Sequence, residues 1–402
     1  MTAPDCDVLV IGLGPAGAAT GIRLARQGFR VVAIDRARFP RDKACSEYLS
    51  PEGVRHLAAL GVLEAIERRG GRRIRGTTVV APRGSRLTGL FAKAGQPFRA
   101  TGLSVTRRLL DTELVNAARA AGVAVHEGTA AAELLREGGR VTGGVLRNDA
   151  GQLKVRARLT VGADGLRSLV ARELGAVRRE PIRRWAFVAH VSGVDGLSDT
   201  AELHVRGDGY VGLNPVGGGA ANISLVVPQS AASAARGDAE GFLFAGLDRF
   251  EGVRDRVSRG GLLDRVLVTG PFALRAARVA GDGALLVGDA ADFFDPFTGE
   301  GICAALRGAE LVEAAVSPAL RNGGPVGAAA LAGYPELRRR AFLGKWAVER
   351  LIGYGMLVPA LFDRAVARLE RRGLSHTMIG VTGDFVPARA VLNPAFLARM
   401  VL

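Results

Sequence analysis

The first apolar run of the chain, Val8 to Ile11, stops at a glycine cluster, Gly12-Leu-Gly14-Pro15-Ala16-Gly17. A second run, Val31 to Ile34, ends at Asp35. Short apolar runs bounded by turn residues predict strands buried on both faces. Between them the small residues Gly17, Gly21 and Ala25 recur at helical spacing, which predicts a helix with a thin face against those strands. Further along, the pattern predicts a β-meander around 73–99, a return helix over Arg107 to Ala121, and strands over Val123–Glu127 and Val141–Leu146. Leu159 to Gly162 predicts a strand delivering Asp164-Gly165 into a turn that opens a helix.

From Trp185 the period changes. Ala186–Val191, Ala201–Val205, Tyr210–Pro215 and Ala221–Val227 alternate and are separated by glycine-rich turns, the pattern of an antiparallel sheet. A helical stretch is expected over Ser230–Phe250. Near Gly283 the first pattern resumes: an apolar strand runs into Gly288-Asp289, and Pro296-Phe-Thr-Gly299-Glu-Gly301-Ile302 opens another helix. The last 70 residues read as mainly helical. Their apolar run, Leu351 to Phe362, is too short and its flanks too charged for a membrane span, so burial is expected, with contact at a membrane surface as the alternative.

The fold class is therefore α/β: a Rossmann-like nucleotide-binding domain, discontinuous over 1–180 and 276–330, with an inserted antiparallel-sheet substrate domain over 181–275 and a C-terminal helical region over 331–402. Part of 73–105 is expected to contribute to the substrate side.

The glycines carry the chemistry. Gly12 permits the tight turn off the strand, Gly14 lets backbone N–H groups approach a pyrophosphate, and Gly17 brings helix and sheet together, with the helix N-terminus facing the phosphates. Asp35, at the end of the second strand, is placed to accept ribose hydroxyls. That grip serves NAD and FAD alike. Asp289 at a strand end can hold a polyol hydroxyl, and the N–H groups around Gly299 to Ile302 can face an electron-rich ring. A ribityl chain and an isoalloxazine need both, and NAD needs neither.

With these three segments in this order, residues 5 to 310 resemble the FAD-dependent oxidoreductases that include p-hydroxybenzoate-type monooxygenases, geranylgeranyl reductases and flavin halogenases. The resemblance implies that Gly12, Gly14, Pro15, Ala16, Gly17 and Asp35 hold the ADP half of FAD, with Arg36, Arg107 and Ala130 as further cofactor contacts. Gly288 and Asp289 fall to the ribityl side, and Pro296, Gly299, Gly301 and Ile302 to the ring. Asp164-Gly165 looks like the family turn associated with both FAD and NAD(P)H. Cys45-Ser46 matches the Cys-Gly pair that geranylgeranyl reductases place beside the isoalloxazine, with Ser46 replacing the Gly.

Composition agrees with a globular enzyme: 402 residues, 48% hydrophobic. The net charge of +15 rests on 54 basic residues, of which only Lys43, Lys93, Lys154 and Lys345 are Lys. An arginine bias spread over solvated faces explains this without a nucleic-acid partner, since no nucleic-acid fold signature accompanies it. Cys6, Cys45 and Cys303 form neither a disulfide framework nor a metal site, and none of the five histidines sits in a metal or triad pattern. The first strand begins by Asp7 with no signal segment before it, so a cytoplasmic location is expected.

Catalytic candidates are Cys45 and Tyr210. Cys45 is a wall, a proton donor or a small core residue; Tyr210 is either catalytic or a packed strand residue whose hydroxyl reaches solvent. Gly212 and Asn214 stand where the reductases carry large rings, which predicts a wider, more polar cavity for a phenol-, quinone- or polyketide-like hydrophobic substrate. Thr298-Gly299-Glu300-Gly301 looks closer to the reductase branch. The leading expectation is an NAD(P)H-dependent monooxygenase acting through a flavin C4a-hydroperoxide. The runner-up is a geranylgeranyl-reductase-like reductase of C=C bonds in a polyprenyl or polyene substrate. A halogenase or an electron-transfer flavoprotein ranks behind both.

Overall fold

The computed structural model describes residues 3–401. The first apolar runs form β1 (Cys6–Ile11), α1 (Pro15–Arg26) and β2 (Val31–Asp35). The predicted meander supplies β3 (Gly76–Val80) and β4 (Arg86–Leu90). The return helix is α2 (Arg107–Ala120), capped by the Thr106 hydroxyl, which accepts from the Leu109 N–H. It leads into β5 (Ala124–Glu127), and β6 (Gly151–Gly162) follows a hairpin of Ala130–Glu137 and Arg140–Asn148. The alternating region gives β7 (Arg184–Ser192), β8 (Thr200–Arg206), β9 (Gly209–Pro215) and β10 (Ala220–Pro228). Next come β11 (Leu267–Thr269), β12 (Ala284–Leu286) and α3 (Gly301–Arg321), then α4 (Gly333–Gly355), α5 (Pro359–Arg371) and α6 (Ser375–Thr382).

Two large sheets result. In the first, β12, β6, β1, β2 and β5 lie side by side in that order, all parallel, with the hairpin added along the far part of β6. Its strands are apolar on both faces because α1 and α3 cover one face while Leu9, Ile11 and Leu286 pack into a separate cluster with Val170 on the other. The second sheet runs β11-β7-β10-β9-β8-β3-β4. Here alternation separates the faces. Ala186 and Val188 turn toward α4 and α6, while Phe187 and Ala189 turn toward a short helix, Ala239–Leu247.

Two expectations need correction. The stretch 230–250 is not one helix: Arg236 and Gly237 adopt left-handed backbone, and Asp238 starts a fresh helix by accepting the Gly241 N–H. The run Leu351–Phe362 is not simply buried. The helix breaks before Pro359, and the break turns Leu357 and Val358 outward, each 51% exposed, while Met356 stays inside.

Candidate flavin site

The chain passes from β1 to α1 so tightly that no side chain fits. A Cβ on Gly17 would stand 1.8 Å from the Gly12 carbonyl oxygen, and one on Gly12 2.5 Å from that of Ala163. Gly12 also has a φ of +100°, which a side chain rarely adopts. Around Gly14 there is room instead. The nearest atoms to a Cβ there are Nη2 of Arg107 and Nη2 of Arg41, each at 3.8 Å. Both guanidiniums are held by Asp111, which is fully buried: Arg107 and Arg41 each approach its carboxylate to 2.7 Å. One carboxylate against two guanidiniums leaves net positive charge beside the helix N-terminus, a built cradle for a pyrophosphate.

Asp35 stands at the mouth of the same turn. Its carboxylate accepts the N–H groups of Leu13, at 2.9 Å, and Ala37, at 2.8 Å, which fixes its orientation and leaves lone pairs for a hydroxyl.

A single cavity runs from this cradle to the second sheet. Of the residues expected to touch cofactor, Gly14, Pro15, Ala16, Cys45, Ser46, Arg107, Gly165, Asp289, Pro296, Gly299, Gly301 and Ile302 line it. Gly12 and Gly17 lie beneath its floor, Asp35 at the outer edge of β2. Arg36, Ala130, Asp164 and Gly288 are not on its wall. Asp164 is occupied locally: its carboxylate accepts the Ser168 hydroxyl and the Leu169 N–H, both at 2.6 Å, and so starts the following helix. Burial first raises Asp164 and Asp289 above the usual carboxylate range; for Asp289 the charges of Lys43 and Arg107 oppose that rise.

The opposite wall is the segment Lys43–Glu47, stitched to the second sheet. Asn222 donates to the Cys45 carbonyl at 2.9 Å and to a Glu47 carboxyl oxygen at 3.2 Å, and Asn214 donates to the Ser46 carbonyl at 2.9 Å. Glu47 is buried with a φ of +58° and also accepts the Arg107 N–H and faces His190 Nε2 at 2.7 Å. Burial alone would lower the His190 pKa; the bond and charge of Glu47 outweigh it and raise it. The expected role of Asn214 therefore changes: it anchors this wall rather than enlarging the cavity. Gly212 does leave space, its nearest neighbours to a Cβ being Leu203 at 3.7 Å and Ser224 at 3.9 Å.

Tyr210 is also corrected. Its ring lines the cavity, but its hydroxyl does not reach solvent: it donates to Asp295 at 2.7 Å, and Arg184 donates to the other oxygen of that carboxylate at 2.5 Å. Burial, then the Asp295 charge, pushes the phenol far above its ordinary pKa. The Cys45 thiol is likewise raised, first by burial, so it stays protonated.

Sequence reasoning passed over Lys43, Arg41, Asp111, Glu47, Asn222 and Asp295. One faint signal was available: Lys43 is among only four lysines in an arginine-rich chain, though Lys93 and Lys154 are exposed and carry no such role. Lys43 lines the cavity, 3.5 Å from where a Gly165 Cβ would be. Asn222 and Asp295 meet their partners from far along the chain, while Arg41, Asp111 and Glu47 lie close to Lys43, Arg107 and Ser46 but in no pattern that names their role.

A second cavity, of about 340 Å³, adjoins the first through Leu203, which borders both. Its wall is almost wholly apolar and comes from the second sheet, Phe297 and the helices α4, α5 and α6.

Known proteins resemble this chain over most of its length. Residues 5–341 match the family described as FAD binding domain. The chain is 32% identical over 314 residues to a menaquinone reductase of Mycolicibacterium smegmatis, covering 74% of this chain and 72% of that one. It is 28% identical over 393 residues to a digeranylgeranylglycerophospholipid reductase of Methanothrix thermoacetophila, covering 93% and 96%. Among solved structures it resembles the flavin-dependent halogenase CmlS at 26% identity and a TM-score of 0.76, over 86% of this chain and 63% of that one. It also resembles pqsL of Pseudomonas aeruginosa, described as a probable FAD-dependent monooxygenase, at 25% identity and a TM-score of 0.72, over 88% and 97%. With the family match covering residues 5–341, the chain belongs to the FAD binding domain family as an FAD-dependent oxidoreductase.

Proposed function

We propose that this oxidoreductase saturates C=C bonds in a long apolar chain of polyprenyl type. The observation that carries the reading is the second cavity: about 340 Å³ of space with no charged residue on its wall, next to the flavin-side cavity, with Leu203 on the wall of both. A phenol or other polar aromatic finds no hydrogen-bond partners along that wall beyond the hydroxyls of Tyr48, Thr77, Thr298 and Thr382, whereas a hydrocarbon chain needs none. The reductases it is similar to, named for a menaquinone and a polyprenylated glycerophospholipid, point the same way.

FAD, when bound, supplies two-electron transfer. The chain's own residues do the rest. Arg41 and Arg107 bind the phosphates, and Phe297, Leu203 and Met378 orient the hydrocarbon and exclude water. Cys45, its thiol kept neutral by burial, holds a proton at Sγ on the cavity wall, where one proton must be delivered for each bond saturated. NAD(P)H is the reductant we propose, meeting the open face of the cavity without a separate nucleotide domain.

A second reading, an NAD(P)H-dependent monooxygenase, is favoured by the open space at Gly212 beside Ser224. Anaerobic incubation of reduced holoenzyme with a polyprenyl quinone or alcohol separates the two. Product carrying two added hydrogens in its prenyl chain after air reoxidation of any quinol, formed without oxygen, supports the reductase. Product formed only with oxygen uptake and carrying an added oxygen sinks it and supports the monooxygenase.

A further inference from the structure

The junction of α4 and α5 exposes apolar side chains that a soluble surface has no use for. Tyr354, Leu357 and Val358 are about half exposed and Leu361 is 39% exposed, all within eight residues. The inner side of the same junction, through Leu351, Ile352, Gly355 and Leu361, roofs the apolar cavity. Leu361 belongs to both surfaces, so the patch sits at the cavity's rim.

Positive charge continues from the patch. On α5, Leu361, Arg364, Arg368 and Arg371 follow at spacings of three and four residues and share one helix face, with Arg372 adjoining it. Their contacts run to main-chain carbonyls, Arg371 to Ala367 and Arg372 to Arg399, and among the described residues none of the four meets a carboxylate. Arg368 is held below the usual arginine range, by desolvation first and then by the charges of Arg372, Arg371 and Arg364. The acids of this helix turn the other way: Asp363 accepts from Arg83 and Ser85, and Glu370 from Thr88 and Ser375.

We propose that this face docks on an anionic lipid bilayer, with Leu357, Val358 and Leu361 inserted among the acyl chains and the α5 arginines on the headgroup phosphates. An apolar knuckle, an interfacial tyrosine and a flanking arginine face are complementary to that surface layer by layer. A second copy of the chain is a poorer occupant, because a two-fold contact through this patch brings two arginine faces together. No helix among the described residues is long and apolar enough to cross a membrane, so the contact is peripheral. The docking stands on the surface alone. That the rim also admits substrate rests on the reductase reading above.

Flotation of the resting holoenzyme with phosphatidylcholine vesicles, with and without phosphatidylglycerol, tests the docking in the absence of any substrate, so its result is independent of turnover. The protein is expected to float with the phosphatidylglycerol vesicles and to be released by high salt. Arg364→Gln with Arg371→Gln lowers the partition coefficient roughly 30-fold, from the headgroup attraction of two arginines. Leu357→Ser with Val358→Ser also lowers it, while the bound-flavin spectrum and Tm of both variants stay those of the parent. Equal partition onto both vesicle types, no partition at all, or partition untouched by either variant pair overturns the proposal. So does a stable dimer in solution that the same substitutions dissociate.

Discussion

The nucleotide end of the flavin cavity and the neighbouring apolar cavity are built on opposite principles. At the nucleotide end, position is decided by backbone contact and buried charge: Gly12 against Ala163, Gly17 against Gly12, two guanidiniums on Asp111. At the far end, it is decided by the packing of Val79, Leu203, Phe297, Ile352 and Met378 around empty space. The first kind of site tolerates one ligand shape and fails abruptly when altered. The second is set by volume and hydrophobicity, which many side-chain combinations satisfy. An enzyme family can therefore keep its cofactor and change its substrate by editing one end only.

The largest effect should come at the nucleotide end. Gly17→Val puts a branched side chain where even a Cβ lies 1.8 Å from a carbonyl oxygen, so soluble yield and the flavin-to-protein absorbance ratio should both collapse. Asp111→Asn comes next. It leaves two guanidiniums without their buried counter-charge, a loss of about 3–5 kcal/mol that denaturant titration reads directly, with weaker FAD binding alongside.

Glu300 sits between the ends, and its effect depends on pH. Burial raises its pKa from the ordinary 4.5 to about 8 although Lys345 opposes the rise. The folded state then binds the proton more tightly than the unfolded one, so its contribution to stability is complete below about 4.5 and disappears as pH rises through about 8. Tm should fall across that window, by the equivalent of a few kcal/mol. Glu300→Gln should flatten the slope, and an unchanged slope would assign the titration elsewhere.

The smallest effect belongs to Gly212, which lines the flavin-side cavity beside Leu203, where it borders the apolar one. Gly212→Ala adds a methyl with no neighbour closer than 3.7 Å and should leave stability within about 0.5 kcal/mol and the flavin spectrum intact, while shifting KM for bulky substrates. If it destabilised the protein as much as a change at Gly17, the contrast between the ends would be lost.

The same contrast explains what could be read from the chain. Gly12, Gly14, Gly17 and Asp35 announce themselves because the turn they make is local, and so is the period-two pattern of β7 to β10. The wall of the flavin site is not local. Asn222 reaches Cys45 and Glu47 from more than 170 residues away, and Asp295 meets Tyr210 and Arg184 from two different strands. Asn214 reads as a missing ring until its partner Ser46 is in view. The outward turn of Leu357 and Val358 was equally hidden, because an apolar run gives its hydrophobicity but not the side on which a helix break will leave it.

The order in which the site's parts occur along the chain has a consequence for how the holoprotein is made. β1 finds β2 within a few dozen residues, but its other neighbour, β6, is paired in turn with β12, and the loop 296–302 and α3 lie beyond that again. During synthesis the phosphate grip emerges early and waits, its ring clamp still unmade, until residues past 302 leave the ribosome. Such long-range pairing is slow to form and leaves apolar surface uncovered meanwhile. Flavin supply during expression therefore acts as a folding ligand that arrives last, and cells short of it should accumulate aggregated chain rather than soluble apoprotein.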